Sequence, residues 1–261
     1  MAKTGRFELK YVVTETVARA LVSQLQAYCA VDTAGSADGN YIVTSLYLDS
    51  PDWAMHRAVM TAQPIRLKAR VRTYGPGSKG AVWVELKHRF GEVIVKQRAR
   101  VAESRWQPLI DRFALSEPEH WRLSPEALKT VQDFQSVVVS RDLQPAMLVR
   151  YDREAYMGTY ERDVRVTFDR NLRYCRMRRA ELSGDESQYS GFAGRNVYDG
   201  VDHPVVLELK FNGAMPMWMA DCVRNLGLQR GSFAKYSNAV ELHREDGRVW
   251  ALAGQTARWT R

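Results

Sequence analysis

The sequence predicts an α+β fold built on an antiparallel β-barrel with flanking helices. Three observations carry this. Short segments with strict period-two alternation recur eight or nine times along the 261 residues, as half-buried strands do. Turn signals rich in Gly and Pro separate several of them. Stretches with helical apolar spacing lie between the strands without forming a run of their own, so the helices flank one β structure.

Arg6 to Val13 alternates Arg6, Glu8 and Lys10 with Phe7, Leu9 and Tyr11, and reads as a strand. Thr14 to Cys29 carries Val17, Leu21, Val22, Leu25 and Tyr28 at helical spacing. Ala34 to Asn40 reads as a loop. Strands are expected at Tyr41–Asp49, Ile65–Tyr74, Ala81–Phe90 and Glu92–Val101. Gly75-Pro76-Gly77 and Phe90-Gly91 turn the last three into a hairpin meander. Residues from about 104 to 140 lose the alternation and read as a helical insertion within a single domain spanning 1–261. Strands resume at Pro145–Tyr156, Arg162–Leu172, Tyr174–Ala180 and His203–Phe211. Polar, Gly-containing residues 181–202 form an expected mobile loop. Pro216 opens a helix and Gly227 closes it, and a last helix is expected over Ser237–Arg244.

Lys and Arg number 38 against 30 Asp and Glu, a formal charge of +8. This suits a polyanionic partner: nucleic acid, an anionic membrane or phosphate chains. Cys29, Cys175 and Cys222 are odd in number and widely spaced, which argues against a disulfide framework or a zinc site and fits a reduced, cytoplasmic setting. The opening MAKTGRFELKYVV lacks an apolar signal core, and no run is long enough for a transmembrane segment.

The distinctive feature is which residues alternate. Arg66, Lys68, Arg70 and Arg72 share one face of IRLKARVRTY; Glu85, Lys87 and Arg89 share a face of AVWVELKHRF; Lys96, Arg98 and Arg100 do so in EVIVKQRAR. Arg165, Thr167 and Asp169, the pair Glu208 and Lys210, and the set Arg6, Glu8 and Lys10 continue the pattern. A solvated face explains any single strand. Several cationic strands side by side instead need a compensating anion, because like charges directly opposite destabilise a sheet. With helices covering the apolar faces, the charges line the interior, where a hydrated tunnel receiving a polyanion relieves the burial penalty. Same-face residues repeat at about 6.6–6.8 Å, so successive cations can engage successive phosphates of a linear chain. Glu8, Glu85 and Glu208 each precede a Lys by two residues. A carboxylate among phosphates calls for Mg2+ or Mn2+ between them.

RFELKY, SLYLDS, IRLKARVRTYG, VELKHR, VKQR, VRYDR, VRVTFD, VVLELKF and SFAKYS, in this order and spacing, resemble the VTC domain of the triphosphate tunnel metalloenzyme superfamily. The resemblance spans roughly residues 5–242. The opening Arg before Glu-x-Lys is similar to VTC domains, whereas the CYTH branch typically opens Glu-x-Glu-x-Lys. The resemblance implies an eight-stranded tunnel and a metal-dependent polyphosphate polymerase that moves the γ-phosphate of ATP onto a growing chain and releases ADP. It implies Lys10, Arg70, Arg72, Lys87, Lys96, Arg153, Arg165 and Lys235 as the catalytic cations, with Tyr151 also on phosphate and Glu208 as metal ligand. Strand faces add Arg6, Arg66, Lys68, Arg98 and Lys210 as phosphate-binding candidates, and Glu8 and Glu85 as further metal or orienting carboxylates. Ala234 stands before Lys235 where the family can supply a hydroxyl, for which Ser232 or Tyr236 could substitute. In eukaryotes the domain sits with an SPX domain and membrane helices; neither is read in this sequence, and a membrane-protein partner that handles the product is an expectation only.

Other residues carry blander expectations. Trp83 is read as packing, His88 as core or surface, Asp49 as a turn cap or metal ligand, and His56 and Arg57 as surface residues after a Pro-Asp helix start. The basic run at Arg173, Arg176, Arg178 and Arg179 is read as a solvated face or a tunnel rim. Three function classes remain: the polymerase, a tripolyphosphatase or nucleoside triphosphatase on the same scaffold, and a non-catalytic binder of polyphosphate or nucleic acid. Nucleic acid is disfavoured, since no series of aromatic stacking platforms is present.

Overall fold

The computed structural model describes residues 6–33, 36–75, 80–91, 93–111, 121–192 and 203–256, with side chains to residue 247. The expected start of the chain, Pro76-Gly77, Glu92, the 112–120 part of the insertion and the 193–202 part of the loop lie outside them, as do Ala34 and Gly35.

Eight main strands form one antiparallel path. They are β1 (Arg6–Val13), β3 (Asn40–Asp49), β4 (Ile65–Tyr74), β5 (Ala81–Phe90), β6 (Val93–Ala102), β7 (Gln144–Gly158), β8 (Arg165–Arg176) and β10 (Val205–Asn212). Their order is β1-β10-β8-β7-β3-β4-β5-β6, with short strands β2 (Cys29–Val31) on β7 and β9 (Ser190–Gly191) on β8. The sheet curls into a half-barrel whose hydrogen-bonded ladder ends at β1 and β6 among the described residues. The expected antiparallel tunnel architecture with flanking helices is present.

The helices are α1 (Glu15–Leu25), α2 (Ala54–Met60), α3 (Pro125–Ser140), α4 (Met217–Asn225) and α5 (Lys235–Thr256). Side chains of Thr14 and Ser124 cap α1 and α3 by accepting from Val17 N and Ala127 N. Pro216 precedes α4, and Gly227, at φ 58°, donates its N–H to Arg224 O beyond its end. Asp49 accepts from the N–H groups of Met55 and His56 and so caps α2.

Alternation puts apolar side chains on the convex face, where helices bury them. Leu46, Val71, Val84, Leu86 and Val101 pack under Trp106, Leu109, Val131 and Phe134, the last two from α3. Leu207, Leu209, Val166 and Phe168 pack under Leu21 and Leu25 of α1 and Met219 of α4. Each such side chain contributes roughly 1.5–3 kcal/mol by burial, and Phe134→Ala would cost about 3–5 kcal/mol. A third cluster sits inside the curl: Val43, Tyr47, Val149, Tyr151 and Val206 meet Tyr236, Ala239 and Val240 of α5. The start of α5 therefore plugs part of the interior.

Four element boundaries differ from the sequence reading. The first helix ends at Leu25, and Cys29 opens β2. The segments Arg162–Leu172 and Tyr174–Ala180 are one strand, β8. A register shift opposite Arg150 and Asp152, with Asn171 at φ 50°, changes the side-chain phase without ending the pairing. The 181–192 part of the expected loop contains a 3-10 turn and β9, and Phe192 is buried. The last helix starts at Lys235 and runs past Arg244.

Candidate active site

One wall of the interior comes from β1, β10, β8 and β7. Cross-strand register sets Lys10 against Glu208, Glu8 against Lys210 and Arg153 against Asp169. Lys10 Nζ lies 3.2 Å from both Glu8 Oε1 and Glu208 Oε1. Lys210 donates to Glu208 Oε2 at 2.6 Å. Arg153 donates from Nε and NH2 to the two oxygens of Asp169, and its NH2 is 3.5 Å from Glu208. Lys235, the first residue of α5, enters from the plugged side. Its Nζ lies 2.6 Å from Asp169 Oδ2, 3.4 Å from Glu208 Oε1 and 4.8 Å from the Tyr151 ring centre. Asp169 is wholly buried and Glu208 is 5% exposed, so four cations from four elements converge on two carboxylates.

The other wall comes from β3, β4, β5 and β6. Arg70 donates from Nε to Glu85 at 2.6 Å and from NH1 to Tyr47 Oη at 3.1 Å. Arg72 donates to Ser45 Oγ at 2.8 Å. Lys96 Nζ is 3.2 Å from Glu85 Oε1. Arg98 lies over the Trp83 ring at 4.7 Å, so Trp83 packs against a cation rather than among apolar groups alone. Lys68 and Lys87 are direct cross-strand partners, and neither makes an ion pair with a described residue. The walls face each other: the Glu8 carboxylate feels Lys87, and Lys68 feels Lys10.

The electrostatics follow. Burial raises the Glu208 carboxyl, but Lys210, Lys10, Lys235 and Arg153 hold it well below the ordinary range. Burial and the neighbouring Glu208 raise Glu8, and Lys10, Lys210 and Lys87 outweigh them, bringing it to about 2. Glu85 is likewise held down, against burial, by Arg70, Arg72 and Lys96. Burial pushes Lys68 down to about 8, with Lys10, Lys87 and Arg70 adding to it and Tyr47 opposing. Tyr47, raised by burial, is brought down to about 7 by Arg70, Arg72 and Lys68. These are the signatures of a cation-rich interior.

Not all expected residues join the two clusters. Arg165 is drawn to Asp32 at 2.7 Å and Tyr41 Oη at 3.0 Å. Arg6 is exposed at the start of the inner row of β1, and Arg66 lies opposite Arg89. His56, expected at the surface, is 1% exposed; its Nε2 is 2.8 Å from Glu241 because α5 covers α2. Asp49 is a helix cap that also accepts from Tyr236 Oη at 2.5 Å. Arg57 pairs with Asp52 at the surface. Asp169, Tyr47 and Ser45 were not among the expected site residues. Their signal was present in the alternation of VRVTFD and SLYLDS, but partner strands are needed to read it.

A divalent ion fits in part. Among the described residues no group of three His, Cys, Asp or Glu side chains converges. Glu8 and Glu208 do share Lys10, and the cross-strand neighbour of Glu208, Thr167, has a fully buried hydroxyl without a partner. An oxygen-only set this small suits a hard cation that takes its remaining ligands from phosphates and water. Glu85 is held in the opposite wall and does not complete the set. All three cysteines are free and buried. No described helix is long and apolar enough to cross a membrane.

The VTC domain matches residues 5–244. Among solved structures, a proposed adenylate cyclase of Bacillus halodurans is 13% identical, with a TM-score of 0.50, covering 90% of this chain and 96% of its own. A proposed adenylate cyclase of Vibrio parahaemolyticus is 10% identical, with a TM-score of 0.44, covering 90% and 98%. Among curated proteins no match is found.

Proposed function

We propose, on the premise that this chain belongs to the VTC domain family, that it extends polyphosphate from ATP and releases ADP. The family and the tunnel fold support nucleotide phosphoryl transfer; the finer reading rests on one observation. Lys68 and Lys87 oppose each other, partly buried and without ion-pair partners among the described residues, beside a wall whose carboxylates are already neutralised. Such an excess of positive charge is relieved by an anion longer than a single phosphate.

Phosphoryl transfer asks the protein mainly for positioning and charge neutralisation. Lys10, Arg153, Lys210 and Lys235 are assigned to one stretch of phosphates, and Arg70, Arg72, Lys87 and Lys96 to the facing stretch. Lys68, Arg66, Arg98 and Arg6 extend the track, with Arg165 at its side and Tyr151 beneath Lys235. An oxygen of the terminal acceptor phosphate attacks the γ-phosphorus of ATP in line. The bond to the β-phosphate oxygen breaks, and ADP leaves with that electron pair. The Arg and Lys donors stabilise the charge on the transferring group. Mg2+ or Mn2+, held by Glu208 with Glu8, would supply further neutralisation of phosphate oxygens.

The test is incubation of the pure chain with ATP and Mn2+ or Mg2+, followed by separation of products. Long polyphosphate with stoichiometric ADP supports the reading. Free phosphate alone reassigns the site to triphosphate hydrolysis, and binding without turnover reduces it to a polyanion-binding module.

A further inference from the structure

The first two residues of α5 reach different walls of the interior. Lys235 meets Asp169 of β8 and Glu208 of β10. Tyr236, next in sequence and 2% exposed, reaches β3. Its ring stacks on Tyr47, with centroids 5.0 Å apart and an interplanar angle of 19°. Its Oη donates to Asp49 Oδ2 at 2.5 Å. Burial and the neighbouring Asp49 push this phenol up, so it stays a donor. The hydroxyl that the sequence offered as a phosphate contact is thus committed to a carboxylate at the end of β3.

Lys235 needs such an anchor. The helix dipole opposes a cation in the first turn of a helix, and no acidic residue stands in the first turn of α5. Asp169 and Glu208 hold the ammonium, but Arg153, Lys10 and Lys210 share them. A phosphate chain entering the tunnel competes with those carboxylates for Lys235. When the ammonium turns to phosphate, the Tyr236 hydroxyl and ring still fix the start of the helix. Asp49 is a rigid receiver, because it is buried and also accepts from the Ser50, Met55 and His56 N–H groups. A second contact, His56 Nε2 to Glu241 at 2.8 Å, fastens the following turns of α5 to α2.

We propose that Tyr236 is a positioning residue: it holds the start of α5 against β3 and so fixes where Lys235 presents its charge to phosphate. The proposal rests on the phosphoryl-transfer reading for what Lys235 binds. Tyr236 itself touches no phosphate, and its hydroxyl acts only through Lys235.

The experiment is calorimetric titration of tripolyphosphate into the full chain as wild type, Tyr236→Phe, Lys235→Met and the double variant, with a thermal melt of each. Phe keeps the stack on Tyr47 and removes only the hydroxyl. Lys235→Met is expected to weaken binding about tenfold or more, and Tyr236→Phe about threefold or more. The double variant is expected to bind no more weakly than Lys235→Met, because the tether then has no charge to place. Losses that multiply in the double variant overturn the proposal, and so does wild-type affinity in Tyr236→Phe. Val240→Ala, which loosens α5 in its apolar cluster, is expected to lower Tm with unchanged affinity. If it weakens binding as Tyr236→Phe does, general softening of the helix explains the effect and the proposal fails. Should Lys235→Met not fold, Lys235→Gln takes its place in the cycle. A wild type that binds no tripolyphosphate sinks the phosphoryl-transfer reading together with this proposal, whereas multiplying losses leave that reading standing.

Discussion

Arg153 donates two hydrogen bonds to Asp169, at 2.6 and 2.8 Å, across the β7–β8 ladder in the most buried part of the cationic interior. The same carboxylate meets Lys235 from α5 at 2.6 Å. Asp169 therefore joins the sheet to the plug helix as well as neutralising the site.

Removing Asp169 leaves two buried cations without their main partner. Asp169→Ala is expected to cost about 3–5 kcal/mol of stability, read by urea unfolding. A loss under about 1 kcal/mol would mean that Glu208 and water replace it, and the joint role assigned here would fail.

Glu208 is held ionised by four cations, Lys210, Lys10, Lys235 and Arg153. Glu208→Gln should lower turnover of ATP about 100-fold or more and weaken activation by Mn2+, while binding of tripolyphosphate persists or tightens because a negative charge is gone. Unchanged turnover at saturating metal would remove Glu208 from the metal site.

Two groups set a pH dependence. Lys68 falls to about 8 and Tyr47 to about 7. As pH rises from 6.5 to 9.5 (about the span of both titrations), Tyr47 gains negative charge and Lys68 loses positive charge, so polyanion affinity should fall. Calorimetric titration of tripolyphosphate checks this. Tyr47→Phe should remove the lower part of the fall and Lys68→Met the upper part. Stability moves the other way for Lys68. Its folded pKa of about 8 lies below the unfolded value of about 10.4, so between those two values the unfolded chain binds more protons and this contribution increases with pH there. A flat affinity profile would show that neither group faces the anion.

Asp49 separates a cap from a ligand. Its carboxylate accepts from Ser50, Met55 and His56 N–H groups and from Tyr236 Oη. Asp49→Asn keeps an N-cap acceptor and should retain metal dependence with a small loss of stability. Asp49→Ala should cost about 1–2 kcal/mol or more. Loss of activity in Asp49→Asn without a fall in Tm would instead make Asp49 part of the chemistry.

Much of the site was legible as alternation. The rows through Lys10, Arg70, Lys87, Lys96 and Glu208 follow from period two alone, because residues at i and i+2 share a face whatever the rest of the fold does. Which row faces which was not legible. Pairing of Lys10 with Glu208, the separation of Glu85 from Glu208, and the insertion of Lys235 between Asp169 and Glu208 depend on strand order and on where α5 begins. The split reading of β8 failed at the Asn171 irregularity, where a local phase change looks like an end. His56 read as surface because the helix that covers it lies 185 residues away. The sequence by itself determined an antiparallel α+β fold with charged strand faces, since side-chain periodicity and composition are local. Only the tertiary structure decided which charges neutralise each other and which, like Lys68 and Lys87, remain opposed. Those depend on register, curl and helix docking between residues far apart in the chain.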